Sequence, residues 1–169
     1  MKKGKRYNIV KRNISIGILL GMFLNSMSFA NSLIKTRDGS TARVITAPNG
    51  TPMIELANPG NSGVSVNDFD RLSVDEKNLI LNNISSKEGI GYRSELGGII
   101  APNENYTGNP ARAILLRVHK DPSVINGFIE AASTGKVDMF FSNPNGIYLN
   151  GGLVGRFGNV TFTTGHVSD

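Results

Sequence analysis

The sequence of 169 residues contains no cysteine and no tryptophan, and it has only two histidines, His119 and His166. The absence of cysteine excludes disulfide bonds, a thiol nucleophile and any cysteine-ligated zinc or iron–sulfur site. Two separated histidines also disfavour a histidine-rich metal centre. The fold must therefore be stabilised by side-chain packing and backbone hydrogen bonds, without covalent crosslinks.

The net charge of +5 is concentrated in the first twelve residues, which contain no acidic residue. The basic residues of that segment are Lys2, Lys3, Lys5, Arg6, Lys11 and Arg12. Residues 31–169 hold 12 basic and 13 acidic residues, so this part of the chain is nearly neutral. Binding to a phosphate backbone requires a concentrated basic surface. We therefore expect no nucleic-acid partner.

The basic segment is followed by an apolar run over residues 14–24 and then by Ser28-Phe29-Ala30, directly before Asn31. This order is typical of a secretory signal peptide. As a helix the run would rise only about 16 Å, whereas a membrane-spanning helix needs about 20 apolar residues. An uncleaved membrane anchor is the alternative. We predict a signal peptide over residues 1–30, cleavage between Ala30 and Asn31, and one domain over residues 31–169.

Short apolar runs with a period of two predict strands in residues 31–169. Val137, Met139 and Phe141 alternate with Asp138 and Phe140, for example, and such alternation is typical of a half-buried strand. We predict further strands at 43–46, 79–82, 113–118 and 127–131, with later strands starting near 147 and 160. Regularly spaced short strands predict an all-β fold, and the spacing leaves a sandwich, a barrel and a solenoid open.

Asparagine, proline and glycine mark the predicted turns. Asn143-Pro144-Asn145-Gly146 has the sequence preference of a type I β-turn in which the Asn143 side chain closes an Asx-type hydrogen bond. Asn58-Pro59-Gly60 places glycine at the third turn position, which favours type II. Helix is expected to be scarce, and residues 73–77 are predicted to form a tight turn.

No catalytic motif is present in the sequence. There is no phosphate-binding loop, no dinucleotide fingerprint and no Gly-x-Ser-x-Gly elbow. The densest acidic group lacks the spacing of a calcium loop, and we interpret it as a solvated turn: Asp68, Asp70, Asp75 and Glu76. His119 and His166 have no paired nucleophile and are interpreted as surface residues. We predict a protein that is not an enzyme and that uses no cofactor or metal.

Three blocks of sequence carry a resemblance to a known family. The first covers residues 49–57, 63–67 and 78–83, the second residues 96–101, 113–118 and 126–131, and the third residues 143–147, 150–151 and 160–165. In this order they resemble the secretion domain of two-partner-secretion exoproteins, which include the filamentous haemagglutinins, haemolysins and contact-dependent-inhibition proteins of Gram-negative bacteria. The resemblance covers about residues 40–165.

The resemblance implies a right-handed parallel β-helix in which equivalent side chains stack on one another. Seven apolar residues are then expected to face its core: Val137, Met139, Phe141, Ile147, Leu149, Val160 and Phe162. The family's two turn motifs correspond here to Asn143-Pro144-Asn145-Gly146-Ile147 and, more weakly, to Asn103 and Asn105 in the segment Asn103-Glu104-Asn105-Tyr106. Without the cysteine pair of one branch, the chain is more similar to the haemagglutinin branch.

The resemblance also implies a function in protein export. The chain would leave the cytoplasm through the Sec machinery as a monomer and engage a cognate outer-membrane β-barrel transporter through these two motifs. It would thus reach the cell surface or the medium through the periplasm. One alternative is a free-standing adhesive β-helix that binds host or bacterial surfaces, with Tyr92 and Tyr106 as exposed aromatics. Another is a truncated remnant of a larger adhesin or toxin.

Overall fold

The computed structural model describes residues 33–167, so the predicted signal peptide and the Ala30–Asn31 cleavage site lie outside the described residues. Short strands dominate, with a 3-10 turn at Ser86–Glu88. The strands are β1 (Ile34–Thr36), β2 (Arg43–Thr46), β3 (Pro52–Glu55), β4 (Val64–Leu72), β5 (Leu79–Asn82), β6 (Tyr92–Ser94), β7 (Gly98–Ile100), β8 (Ala113–Val118), β9 (Ser123–Ile125), β10 (Phe128–Ala132), β11 (Val137–Ser142), β12 (Ile147–Leu149), β13 (Gly152–Gly155) and β14 (Phe157–Thr163). The prediction of an all-β fold is confirmed.

Most strand pairs in the two five-stranded sheets are parallel, and so is the pair that forms one of the small sheets. One large sheet has the order β1-β4-β8-β11-β14 and the other the order β13-β10-β5-β3-β2. The third sheet pairs β12 with β9 in parallel. From β3 onward the chain adds strands alternately to the two large sheets. Backbone groups are consequently paired between passages that are distant in sequence.

Each large sheet has one edge strand that runs antiparallel to its neighbour. β1 pairs with β4, and β2 pairs with β3. β6 and β7 form a separate antiparallel hairpin. Its turn is fixed by the carboxylate of Glu130, which is fully buried and accepts hydrogen bonds from the Ser94 hydroxyl and the Glu95 and Leu96 N–H groups.

The core lies between the sheets and is built from alternate residues of the parallel strands. Val137, Met139 and Phe141 are fully buried, as predicted. The Phe141 ring packs against Phe162 with 5.6 Å between ring centroids. Ile147, Val160 and Phe162 are partly buried and pack on the same cluster.

Two local predictions are wrong. Leu149, which was expected to face the core, is half exposed. Its strand β12 belongs to a two-stranded sheet and pairs only with β9, so no further strand within residues 33–167 covers it. Gly60 does not take the left-handed conformation of a type II turn. The turn instead closes from Gly60 to Gly63, where the Gly63 N–H donates to the Gly60 carbonyl and Gly63 has a φ of 75°.

Among residues 33–167, no helix is both long enough and apolar enough to cross a membrane.

Candidate functional site

The segment from Asn143 to Gly146 forms the predicted turn. The Gly146 N–H donates to the Asn143 carbonyl over 3.1 Å, and the Asn145 N–H donates to the Asn143 side-chain oxygen over 2.9 Å. These two bonds are those of a β-turn and an Asx turn closed by one asparagine. Gly146 has a φ of 115°, in the region that favours glycine. The sequence-based prediction of this turn is confirmed.

Asn143 is fully buried and also ties the turn to a neighbouring passage of the chain. Its side-chain amide donates to the Asp121 carbonyl over 2.9 Å and to the Ser123 hydroxyl over 2.8 Å. Its own N–H donates to the Thr163 carbonyl. A buried carboxamide with all of these bonds made is costly to replace, because its partners would be left unsatisfied. Asn143 therefore fixes the position of the turn.

The two residues that follow Asn143 have the opposite character. Pro144 and Asn145 are exposed, and Ile147 is partly buried against the core. Pro144 fixes its own φ, so the exposed tip of the turn has little conformational freedom. The turn therefore presents a proline ring and the Asn145 carboxamide to solvent in a preset geometry, and the Asn145 amide also donates to the Asn143 side-chain oxygen over 3.1 Å.

Asn103 repeats the bonding of Asn143 in the second predicted motif. The Asn105 N–H donates to the Asn103 side-chain oxygen over 2.9 Å, and the Tyr106 N–H donates to the Asn103 carbonyl. The Asn103 amide donates to the carbonyls of Leu56 and Asn82. The segment Asn103-Glu104-Asn105-Tyr106 therefore forms the same type of turn without the proline.

The second turn is held more firmly to the protein than the first. Glu55, which is buried, accepts a hydrogen bond from the Glu104 N–H, and burial raises the pKa of its carboxyl group. The Asn105 amide donates to the carbonyls of Thr41, Glu55 and Leu56. The exposed Glu104 carboxylate pairs with Arg43 over 2.9 Å. Little of this turn except Glu104 is available to a partner.

Tyr106 is buried, which contradicts its interpretation as an exposed aromatic for an adhesive surface. Its hydroxyl donates to the Asn83 side-chain oxygen over 2.8 Å, and burial strongly raises the pKa of that hydroxyl. Tyr92 is half-buried in the β6–β7 hairpin. The residue order around Asn103 gave no signal of this bond, because Asn83 belongs to a different passage of the chain.

Asp68 and Asp70 lie on β4 and not in a solvated turn, so that interpretation is wrong for both. Arg117 and His119 contact the Asp68 carboxylate at 2.8 and 2.7 Å. Burial raises the pKa of Asp68, but the hydrogen bonds from these two residues outweigh burial and lower it. The Asp70 pKa is also lowered, chiefly by the hydrogen bond from Lys120. This cluster could not be predicted from the residue order, because it depends on the register of β4 against β8.

The two asparagine turns are bonded to different parts of the protein, and within residues 33–167 no hydrogen bond joins one to the other. The same described part of the chain contains no group of three histidine, aspartate or glutamate side chains arranged to hold a metal ion.

Comparison with known proteins identifies relatives of this fold. The sequence model of the TPS secretion domain matches residues 31–169. Filamentous hemagglutinin of Bordetella pertussis is 35% identical over 127 residues, which is 75% of this chain and 3% of that protein. The tRNA nuclease CdiA of Yersinia mollaretii is 35% identical over 133 residues, 78% of this chain and 4% of that protein. This chain thus spans a small fraction of the length of these relatives.

A solved structure is similar as well. The crystal structure of the filamentous hemagglutinin secretion domain superposes with a TM-score of 0.68 at 31% sequence identity. The match covers 80% of this chain and 43% of that one.

Proposed function

Because the chain belongs to the family of two-partner-secretion (TPS) secretion domains, we propose that it directs an exoprotein to a cognate outer-membrane transporter through the Asn143–Ile147 loop. The TPS secretion domain is a non-catalytic domain. Exoproteins of this family reach the cell surface or the medium through the periplasm. The similarity to filamentous hemagglutinin and the lack of cysteine support an exoprotein of the adhesin or haemagglutinin type.

The exposure of Pro144 and Asn145 on a turn fixed by buried Asn143 is the observation that carries this proposal. A partner can contact the tip without disturbing the bonds that hold the turn. Since the tip is rigid, little conformational entropy is lost on binding. Asn103 and Asn105 form the corresponding turn, but their side chains are engaged within the protein, so their contribution is to hold Glu104 in place.

The architecture in this proposal is a right-handed parallel β-helix. Support comes from the parallel pairing of β3, β5, β10 and β13 in one sheet and of β4, β8, β11 and β14 in the other. The proposed domain is residues 31–169, preceded by a signal peptide over residues 1–30 for the Sec machinery. The start of the family match at residue 31 supports that boundary. The domain would act as a monomer.

Slow folding fits this function. β4 pairs with β8 and places Val64 opposite Ala113. A long loop must therefore close before this pairing stabilises the fold. Folds dominated by such non-local contacts form slowly. Segments of an exoprotein that follow the docked domain and fold in the same way would therefore stay extended during transport, and strand addition on the outside would oppose their return.

Export is the experiment that tests the proposal. The chain would be expressed with and without the transporter encoded nearest its gene, and the processed protein would be measured in the medium and in the periplasm. We expect the protein in the medium only when the transporter is present. Retention in the periplasm of both strains, while the same transporter exports a longer relative, would refute the proposal.

A further inference from the structure

A connected group of charged side chains covers one outer face of the sheet that contains β1, β4 and β8. It is called the cationic surface here and consists of Lys35, Arg37, Asp68, Asp70, Arg71, Arg117, His119, Lys120 and Asp121. It holds five permanently charged cations and three carboxylates. In residues 31–169 the remaining charged residues are seven basic and ten acidic. Positive charge is therefore segregated to this surface in a nearly neutral domain.

Asp70 organises the centre of the cationic surface. Its side chain is only 9% exposed, and three cations converge on its carboxylate: Lys35 at 3.6 Å, Arg37 at 3.5 Å and Lys120 at 2.8 Å. One carboxylate cannot neutralise three cations. The lysine side chains are still 64% and 61% exposed, so their excess charge faces solvent.

The cationic surface is continuous with the proposed recognition loop. Arg71 pairs with the Asp121 carboxylate over 2.8 Å. The backbone carbonyl of the same Asp121 accepts the hydrogen bond from the buried Asn143 amide. The tip of the Asn143–Ile147 loop and the cationic surface are thus fixed to each other through one residue.

The composition of the surface selects among anionic partners. Membrane surfaces and nucleic acids are uniform polyanions, and their recognition takes clusters of about four to eight unopposed Lys or Arg residues. Here three carboxylates are interspersed among the cations and would be repelled by such a partner. A folded protein with a mixed but predominantly acidic face can match this pattern, and charge complementarity of this kind mainly accelerates association.

We propose that the cationic surface and the Asn143–Ile147 loop form one docking surface for an acidic face on the periplasmic part of the transporter. The inference rests on the function proposed above and adds the chemistry of the partner. The surface steers the folded domain to the transporter, and the loop tip provides the specific contact.

Association kinetics test this inference. The purified chain would be bound to the transporter in nanodiscs of neutral phosphatidylcholine, between about 50 and about 500 mM NaCl, a range over which charge screening becomes strong. We expect the association rate to fall steeply with salt. Lys35→Glu with Lys120→Glu should lower it at least about tenfold at low salt, with a smaller change in the dissociation rate.

The matched control is Lys77→Glu with Lys136→Glu, which makes the same charge change at two exposed turn positions outside the cationic surface. It should change the rate by less than about threefold, because distant charges are screened. Lys35→Gln with Lys120→Gln gives a milder variant that avoids new repulsion with Asp70. Circular dichroism would show that each variant is folded.

The remaining outcomes separate the two proposals. If the chain binds the transporter and the rate depends neither on salt nor on Lys35 and Lys120, the inference fails and the proposed function stands. Binding only by the urea-unfolded chain would overturn the inference and would also contradict recognition through the preset Asn143–Ile147 turn. If neither form binds, both proposals fail. Loss of binding to phosphatidylglycerol vesicles in the charge variants, with transporter binding unchanged, would assign the surface to lipid and overturn the inference.

Discussion

The Asn143 side-chain amide donates to the backbone carbonyl of Asp121 over 2.9 Å. This bond joins the end of β11 to the segment before β9, so the turn after Asn143 is positioned by a separate passage of the chain. Asn143 and its exposed neighbours therefore have different roles: Asn143 holds the turn, and Pro144 and Asn145 form the surface that a partner can reach.

Substitution of Asn143 is expected to act on stability. Asn143→Ala removes the bonds to Asp121, Ser123 and the Asn145 N–H and should lower the free energy of unfolding by about 1–3 kcal/mol. Asn145→Ala, at an exposed position, should change it by less than about 0.5 kcal/mol. Urea denaturation of both variants measures the difference, and equal effects would contradict the division of roles.

Glu130 should control the docking of the β6–β7 hairpin. Glu130→Gln places an NH2 group where a carboxylate oxygen accepts hydrogen bonds from Ser94 or from backbone N–H groups. We expect the free energy of unfolding to fall by about 1–3 kcal/mol. Hydrogen exchange over residues 92–100 should become faster than exchange in the remaining strands. Exchange that rises equally throughout the chain would show that the hairpin is not a local unit.

The stacked glycines Gly127 and Gly151 should not accept alanine. A Cβ at Gly127 would collide with the Asp75 carbonyl, and one at Gly151 with the Gly127 carbonyl, so the backbone would have to move. Gly135 is the matched control, because a Cβ there meets no atom within 4 Å. In thermal unfolding, the melting temperature should be much lower for Gly127→Ala and Gly151→Ala and should not be lower for Gly135→Ala. A melting temperature for Gly127→Ala equal to that of Gly135→Ala would refute this packing.

Acid should weaken the contacts of Asp68. Because its pKa is lowered in the folded protein, its stabilising contribution is present above the unfolded value of about 3.9 and is lost as the pH falls through the lowered pKa. Asp68→Asn should therefore be less stable than the unsubstituted chain at pH 7, by up to about 1 kcal/mol for a partly exposed pair.

That difference should vanish at pH values below the lowered pKa. The raised pKa of Glu55 has the opposite sign: its contribution is present at low pH and lost as the pH rises through the raised value. It is common to both proteins and cancels in the comparison. Urea denaturation from pH 7 to pH 3 provides the measurement, and a difference that persists unchanged in acid would contradict the assigned contacts.

The sequence predicted what is local. The strand alternation of Val137, Met139 and Phe141 and the turn at Asn143 depend on neighbours in the chain, and the structure agrees with both. The contacts of Asp68 with Arg117 and of Tyr106 with Asn83 could not be predicted, because they depend on strand register and on the path of the chain between β5 and β8. Leu149 was misplaced for the same reason: alternation alone does not show which strands lie at a sheet end.

The most direct measurement is the export of loop variants through the cognate transporter. Pro144→Ala with Asn145→Ala changes the exposed tip and keeps Asn143. Pro48→Ala is the matched control in the turn Ala47-Pro48-Asn49-Gly50, which closes by the same type of hydrogen bond from Gly50 to Ala47. We predict that the tip variant folds with unchanged stability yet accumulates in the periplasm, while the Pro48 variant is exported normally. Export of the folded tip variant at the normal level would contradict recognition through this loop.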